Sequence, residues 1–163
     1  MKRLFFLLTL LSLVGCYHAV PEKTGLEGKP LPEFSLLLTD SSTYFNTRGI
    51  PSGNPVVLFY FSPQCPYCRA QMGEIIENIH SLKNIRFYIF TDWSFPDMKA
   101  FYVHYQLNSY PNIIMGVDYA NFFEGYFKVR GVPYIAIYGK NKLLKEAFNG
   151  KVDISQIKDA AED

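Results

Sequence analysis

The stretch that decides the fold is VVLFYFSPQCPYC, residues 56–68. It begins with six consecutive apolar or aromatic residues, Val56 to Phe61, without the alternation of a half-exposed strand. Such a run predicts a strand covered on both faces, as in the middle of a sheet with parallel neighbours. Cys65 and Cys68 follow directly, and Pro66 between them suits the first turn of a helix. The stretch therefore predicts a buried strand that leads to a cysteine pair at a helix start.

Periodic patterns on either side of this stretch predict further helices and strands. The predicted strands are Phe34 to Leu38, Val56 to Phe61, Ile85 to Thr91, Tyr134 to Tyr138 and Leu143 to Phe148. The predicted helices begin at Pro66, run from Ser94 to about Leu107, cover Tyr119 to Tyr126 and close the chain from Ile154 to Ala161. Alternating elements followed by a hairpin favour an α/β fold with a central mixed sheet and helices on both faces.

The cysteine pair is the candidate catalytic site. A helix start places the sulfur of Cys65 near unpaired backbone N–H groups, which stabilise a thiolate over a thiol. Cys65 is therefore the candidate nucleophile. Cys68 lies about one helical turn further on, where it can attack a mixed disulfide on Cys65 and release the reduced partner. The pattern favours thiol:disulfide exchange through this pair, with no metal and no other cofactor.

Three structural interpretations compete with a redox pair. A passive disulfide suits an oxidising compartment, but a bridge across two intervening residues closes a very small loop and stabilises little. A metal site needs two further ligands, and the sequence has no second cysteine pair. The available histidines are His18, His80 and His104. Two unrelated buried cysteines are the third alternative, which the helix-start position disfavours.

Residues 1–15 have the pattern of a bacterial export signal: a basic start, the apolar run Leu4 to Val14 and a small residue. The run is too short to span a bilayer, which takes about 20 apolar residues. Leu13 to Cys16 resembles the lipobox of bacterial lipoproteins, which implies cleavage before Cys16 and acylation of its sulfur. We expect an extracytoplasmic, periplasm-facing protein that is anchored to a membrane through Cys16. A plain signal peptide with a chance cysteine is the alternative.

The composition allows one domain and excludes one class of partner. The 163 residues, of which 48% are apolar, suffice for a single core. The formal net charge is +1 and the basic residues are scattered, so nothing points to nucleic acid. Residues 17–32 have the proline and glycine content of a flexible spacer. The predicted organisation is a signal peptide at 1–15, a lipidated N-terminus and linker at 16–32, and a domain at 33–163.

Three segments together resemble a thioredoxin-like protein. They are VVLFYFSPQCPYC, the Gly131-Val132-Pro133 step before the strand YIAIY, and GKPLPEFSLL at residues 28–37. The last segment and the lipoprotein signal resemble the TlpA/redoxin-like branch. The resemblance implies a thioredoxin-like fold, a cis peptide bond at Pro133 and a loop that faces the cysteines. It also implies that the backbone of Val132 binds an extended substrate segment, while Pro66 and Tyr67 support the active site.

Two positions depart from thioredoxin proper. Where thioredoxin has a Trp before the first cysteine and a buried Asp in the preceding strand, this chain has Gln64 and Phe59. The role of that Asp in proton transfer therefore has no counterpart here. The dipeptide Pro66-Tyr67 matches glutaredoxin, but glutathione use does not follow, because the rest of the chain resembles a different branch.

The resemblance implies a thiol:disulfide oxidoreductase. Its partners would be the thiols and disulfides of exported proteins and a membrane thiol:disulfide electron donor that resets Cys65 and Cys68. The opposite direction of electron flow uses the same residues, and the sequence does not choose between them. Two other functions remain open. One is a redoxin-type peroxidase, whose reactive cysteine stands in a differently spaced motif, and the other is a non-catalytic binding module of the cell envelope.

Overall fold

The computed structural model describes residues 19–162, which form seven strands and four helices. The strands are β1 (Ser35–Leu38), β2 (Tyr44–Asn46), β3 (Val56–Tyr60), β4 (Arg86–Thr91), β5 (Ile113–Val117), β6 (Tyr134–Tyr138) and β7 (Leu144–Asn149). The helices are α1 (Pro66–Glu77), α2 (Phe95–His104), α3 (Phe122–Phe127) and α4 (Ile154–Glu162).

The strands form one mixed sheet in the order β2-β1-β5-β4-β3-β6-β7. β3, β4 and β5 are parallel, whereas β6 runs antiparallel to β3 and β7 antiparallel to β6. All five residues of β3 are buried, as the apolar run predicted, with one parallel and one antiparallel neighbour. The carboxyl ends of β3, β4 and β5 therefore lie on one side of the sheet, together with the first residue of β6 and the last residue of β7. We call this the cysteine edge, because Cys65 follows β3.

Both faces of the sheet are covered, as predicted. Alternate side chains of β3 point to opposite sides, so that Phe59 joins one hydrophobic cluster and Leu58 the other. α1, α2 and α4 pack on the first face, and α3 packs on the second. The many aromatic residues are largely core residues, which include Phe59, Phe61, Phe87, Phe90, Phe123, Tyr134 and Tyr138.

β2 and β5 lay outside the prediction. β2 has three residues inside a turn-rich stretch and is formed by antiparallel pairing with β1, which local sequence does not encode. β5 is a short apolar run that ends in a glycine, and such a run has no period that separates a strand from a helix. The second helix also ends earlier than predicted, at His104, with a separate 3-10 turn at Leu107–Ser109.

The structure differs from the predicted spacer over residues 19–32. We call residues 19–31 the N-terminal strap, because they lie along the outer side of β7. Its backbone bonds are Glu22 N–H to Ala147 O (2.7 Å), Gly28 N–H to Leu144 O (2.8 Å), Leu144 N–H to Lys29 O (2.9 Å) and Leu31 N–H to Lys142 O (2.9 Å). These bonds satisfy backbone groups that an edge strand would leave unpaired. Leu26 and Leu31 also pack against the core, so proline and glycine content marked irregular backbone rather than a free linker. The predicted cleavage site before Cys16 lies outside the described residues.

Gly116 is required by the close approach of β5 to β1. A Cβ atom at this position would lie 2.7 Å from Leu37 O and 3.0 Å from Leu36 Cβ. We expect Gly116→Ala to lower the free energy of unfolding by about 1–3 kcal/mol, because backbone has to move. Gly73→Ala is the matched control, since its Cβ would meet nothing within 4 Å and its helical site favours alanine by about 0.5–1 kcal/mol. Urea unfolding curves of the two variants should therefore shift in opposite directions.

Candidate active site

The cysteine pair lies where β3 leads into α1. Cys65 is the N-cap residue of this helix, Pro66 occupies its first turn, and the N–H of Cys68 donates to Cys65 Sγ at 3.3 Å. This is a helix-start thiol whose sulfur receives a backbone hydrogen bond. Cys65 is partly exposed, Cys68 is fully buried, and both are free thiols. The two predicted catalytic sulfurs therefore meet at one point, one reachable from outside and the other behind it.

The environment of Cys68 favours its protonated form. Burial raises the pKa of the Cys68 thiol well above its ordinary value, and the hydrogen bond with Cys65 raises it further. The backbone of Ser62 opposes these effects to a smaller extent. At neutral pH Cys68 is therefore a thiol, which must lose its proton as it reacts.

The Val132–Pro133 loop faces the pair from the start of β6. The peptide bond between these residues is cis, as the resemblance implied. The Cys65 thiol donates to Val132 O at 3.5 Å. Val132 is 67 residues from Cys65 in the sequence, and the fold brings the Val132–Pro133 loop to the start of the active-site helix. Their roles in substrate binding stay a prediction.

A groove opens beside Cys65 along this loop. It has a volume of about 510 Å³ and is lined by Tyr67, Val132, Pro133, Gly150 and Lys151. Tyr67 is 66% exposed and forms one wall. Val132, which lines this groove, also contacts Cys65, so the groove lies next to the predicted nucleophile. Gly150 and Lys151 come from the loop between β7 and α4, and no sequence pattern pointed to them.

Two side chains of α1 hold the β7–α4 loop beside this groove. Gln71 is fully buried, and its Oε1 accepts a hydrogen bond from Val152 N–H at 2.7 Å. Lys151 Nζ lies 2.7 Å from Glu74 Oε1 on the next turn of the helix. Glu74 is thus partly exposed and ion-paired with the β7–α4 loop. A polar residue on the buried face of α1, three positions after Cys68, was the one sequence signal for Gln71.

The remaining predicted candidates lie apart from this site or outside the described residues. Cys16 and His18 belong to the part of the chain that the structure does not describe. Among residues 19–162, His, Cys, Asp and Glu side chains form no group of three or more that could hold a metal ion. Within the same residues no helix has both the length and the apolar character needed to cross a membrane.

No protein-family model matches this sequence, and no curated protein does either. Solved structures do match. A thioredoxin-like protein from Aeropyrum pernix superposes with a TM-score of 0.62 at 17% identity, over 78% of this chain and 87% of that one. The chain has a thioredoxin-like fold. The cysteine pair after β3 and the cis proline before β6 occupy one edge of this thioredoxin-like fold.

Two further structures share the thioredoxin-like fold. One is a secreted Mycobacterium tuberculosis disulfide oxidoreductase homologous to Escherichia coli DsbE, with a TM-score of 0.62 at 20% identity over 78% of this chain and 91% of that one. The other is StoA from Bacillus subtilis, with a TM-score of 0.61 at 10% identity over 80% and 97%. At these identities the likeness establishes the thioredoxin-like fold alone, and the chemistry has to be argued from the site.

The raised pKa of Cys68 predicts a stability effect at alkaline pH. An unfolded cysteine loses its proton near pH 8.5, whereas folded Cys68 keeps it. Above that pH the unfolded state binds fewer protons, so the free energy of unfolding falls as pH rises, by up to about 1.4 kcal/mol per pH unit for this thiol. Unfolded tyrosines also lose protons as the pH approaches their ordinary pKa of about 10, so the effect of Cys68 has to be isolated by comparison with a variant that lacks this thiol.

We therefore expect the urea midpoint of the reduced protein to fall more steeply between about pH 8.5 and pH 10 than that of Cys68→Ser. The serine hydroxyl does not titrate in this range, so the pH dependence of the variant's stability comes from all the other titrating groups. Parallel pH profiles for the two proteins would contradict the raised pKa of Cys68.

Proposed function

We propose that the protein is a thiol:disulfide oxidoreductase that reduces disulfides of exported proteins. One observation carries this proposal: a partly exposed Cys65 at a helix start, with a buried protonated Cys68 one turn behind it and an open groove beside it. A passive structural disulfide needs neither the groove nor an accessible sulfur. The names of the structures that share the fold, a disulfide oxidoreductase among them, agree with this chemistry.

The first step is attack by the Cys65 thiolate on one sulfur of a substrate disulfide. A bond forms between Cys65 and that sulfur, the substrate disulfide breaks, and the other substrate sulfur leaves as a thiolate that takes up a proton. The N–H of Cys68, which donates to Cys65 Sγ, stabilises negative charge on the attacking sulfur. The groove along Val132 and Pro133 would hold the substrate segment in an extended form during this step.

The second step is resolution by Cys68. Its thiol loses a proton and attacks Cys65 Sγ, so that a Cys65–Cys68 disulfide forms and the second substrate sulfur is released as a thiol. Two electrons have then passed from the cysteine pair to the substrate. A membrane thiol:disulfide electron donor returns two electrons and two protons to reset the pair. The raised pKa of Cys68 opposes the loss of this proton at neutral pH.

The proposal includes a location. Residues 1–15 would direct export, and acylation of Cys16 would hold the domain at the outer side of a membrane. Disulfide chemistry belongs to that oxidising compartment rather than to the cytosol. The exported proteins and the membrane electron donor named above would meet the cysteine pair there.

The reduction potential of the Cys65–Cys68 couple tests the proposal. The full chain in detergent is equilibrated with defined thiol/disulfide buffers, and its free thiols are trapped and counted. A value near that of thioredoxin, about −270 mV, supports a reductase, whereas a value near −120 mV makes the protein an oxidant. A couple that does not cycle would refute the catalytic proposal and favour the binding module. The Cys65→Ser, Cys68→Ser double variant gives the background.

A further inference from the structure

The N-terminal strap leaves the domain at the cysteine edge. It runs along β7 from Glu22, opposite Ala147, to Leu31, opposite Lys142. The end of β7 that contains Ala147 and Asn149 is the end next to Tyr134, where β6 begins. Tyr134 in turn pairs with Tyr60, the last residue of β3 before the cysteines. The chain upstream of Glu22 therefore departs from the domain on the side of Cys65.

Two contacts fix the beginning of the strap at this edge. Ala19 exchanges hydrogen bonds with the side chain of Gln156 in the first turn of α4, its N–H donating to Oε1 at 2.9 Å and its carbonyl accepting from Nε2 at 2.8 Å. Glu22 Oε1 lies 2.7 Å from Arg130 Nη2, and Arg130 directly precedes the loop that contacts Cys65. The first residues of the strap are thus attached both to α4 and to the residue that precedes the Val132–Pro133 loop.

The remaining tether is too short to reorient the domain. Cys16 precedes Ala19 by three residues, which reach at most about 11 Å when fully extended. A domain of this size has a radius of gyration of about 15 Å. A lipid anchor on Cys16 therefore holds the cysteine edge near the membrane and leaves the opposite edge of the sheet away from it.

Exposed aromatic side chains at the cysteine edge support the same orientation. Tyr67 in the first turn of α1 is 66% exposed, Trp93 after β4 is 39% exposed, and Tyr119 after β5 is 53% exposed. Val20 in the strap is also exposed. Tyr and Trp combine an apolar ring with a polar group, which suits the level of lipid headgroups. These four exposed side chains thus lie on the side of the domain to which the tether leads, whereas the exposed Val103 lies near the end of α2.

We infer that the anchored protein holds its cysteine edge against the headgroup layer of its own membrane. This inference rests on the proposed function and on acylation of Cys16. It also narrows the class of redox partner, because Cys65 then meets thiols and disulfides of membrane proteins at the headgroup level. Exported proteins would be reduced while they are held at that surface.

Trp93, the one tryptophan of the chain, provides a direct test. The full lipidated protein is reconstituted into phospholipid vesicles that contain a dansyl-headgroup lipid, and energy transfer from Trp93 to dansyl is measured. The comparison protein carries Trp93→Phe together with Lys140→Trp. Lys140 is exposed and follows the end of β6 at the opposite edge of the sheet. We expect transfer to be several-fold lower from position 140 than from Trp93.

A second variant separates tether length from fold. Twenty Gly and Ser residues inserted between His18 and Ala19 extend the tether by about 25 Å on average and leave the strap contacts in place. Transfer from Trp93 should fall several-fold, while reduction of a soluble disulfide substrate stays unchanged. Equal transfer from the two tryptophan positions, or failure of the natural chain to bind vesicles, would overturn the inference and leave the thiol chemistry intact. Loss of disulfide cycling with transfer preserved would instead refute the proposed function.

Discussion

Cys68→Ser is expected to accumulate a mixed disulfide between Cys65 and its substrate and to lose catalytic turnover. The variant keeps the accessible sulfur at the helix start but lacks the buried thiol that resolves the intermediate. Serine preserves size and hydrogen bonding at the buried site, so α1 should keep its position. The adduct is detected as a reducible increase in mass on a non-reducing gel after incubation of the full chain with a disulfide-containing protein.

Cys65→Ser is the matched control. It leaves Cys68, whose sulfur is fully buried and whose raised pKa keeps it protonated. A protonated, inaccessible thiol is a poor nucleophile. This variant should therefore form no adduct, and its disulfide reduction should fall to the uncatalysed level. Equal adduct formation by both variants would show that Cys68 is reachable and would reverse the assigned roles.

The trapped adduct also tests where the substrate lies. If the groove along Val132 and Pro133 holds the substrate, the bound segment should shield Tyr67 and Lys151 from chemical modification in the adduct. Lys151 is the informative residue, because no sequence pattern connected it with the cysteines. Its ion pair with Glu74 should keep it in place in both the free and the trapped protein.

The central strand and the cysteine helix could be predicted from the sequence because their signals are local. Six uninterrupted apolar residues require burial on both faces, and a proline after a cysteine fits a first helical turn. Both features depend on residues within a span of 13 positions, 56–68. β3 and α1 accordingly lie where they were expected.

The parts that escaped prediction are held by contacts between distant residues. β2 depends on pairing with β1, and the strap depends on the free side of β7 and on Gln156, 137 residues from Ala19. Gln71 gains its role only when Val152, 81 residues later, is brought over α1. Periodicity and composition depend on neighbours along the chain, whereas these contacts join residues that are far apart in the sequence.

Phe59→Ala is expected to have the largest effect on stability. Phe59 is fully buried in β3, with its ring centroid 6.0 Å from that of Phe61, which in turn lies 4.4 Å from the ring centroid of Phe101 on α2. Truncation removes a ring from this packed layer and leaves a cavity, which costs about 3–5 kcal/mol. Because domains of this kind have total stabilities of about 5–15 kcal/mol, the variant should unfold at a much lower urea concentration.

Tyr44→Ala is the matched aromatic control, since Tyr44 is 67% exposed on β2 and should change stability by no more than about 0.5 kcal/mol. A loss below about 1 kcal/mol for Phe59→Ala would mean that the core collapses around the cavity. Phe59 also occupies the position at which thioredoxin has its buried Asp. Since this chain places an apolar ring there, the residue belongs to the hydrophobic cluster on this face of the sheet, and in the proposed reaction the proton of Cys68 would leave by another route.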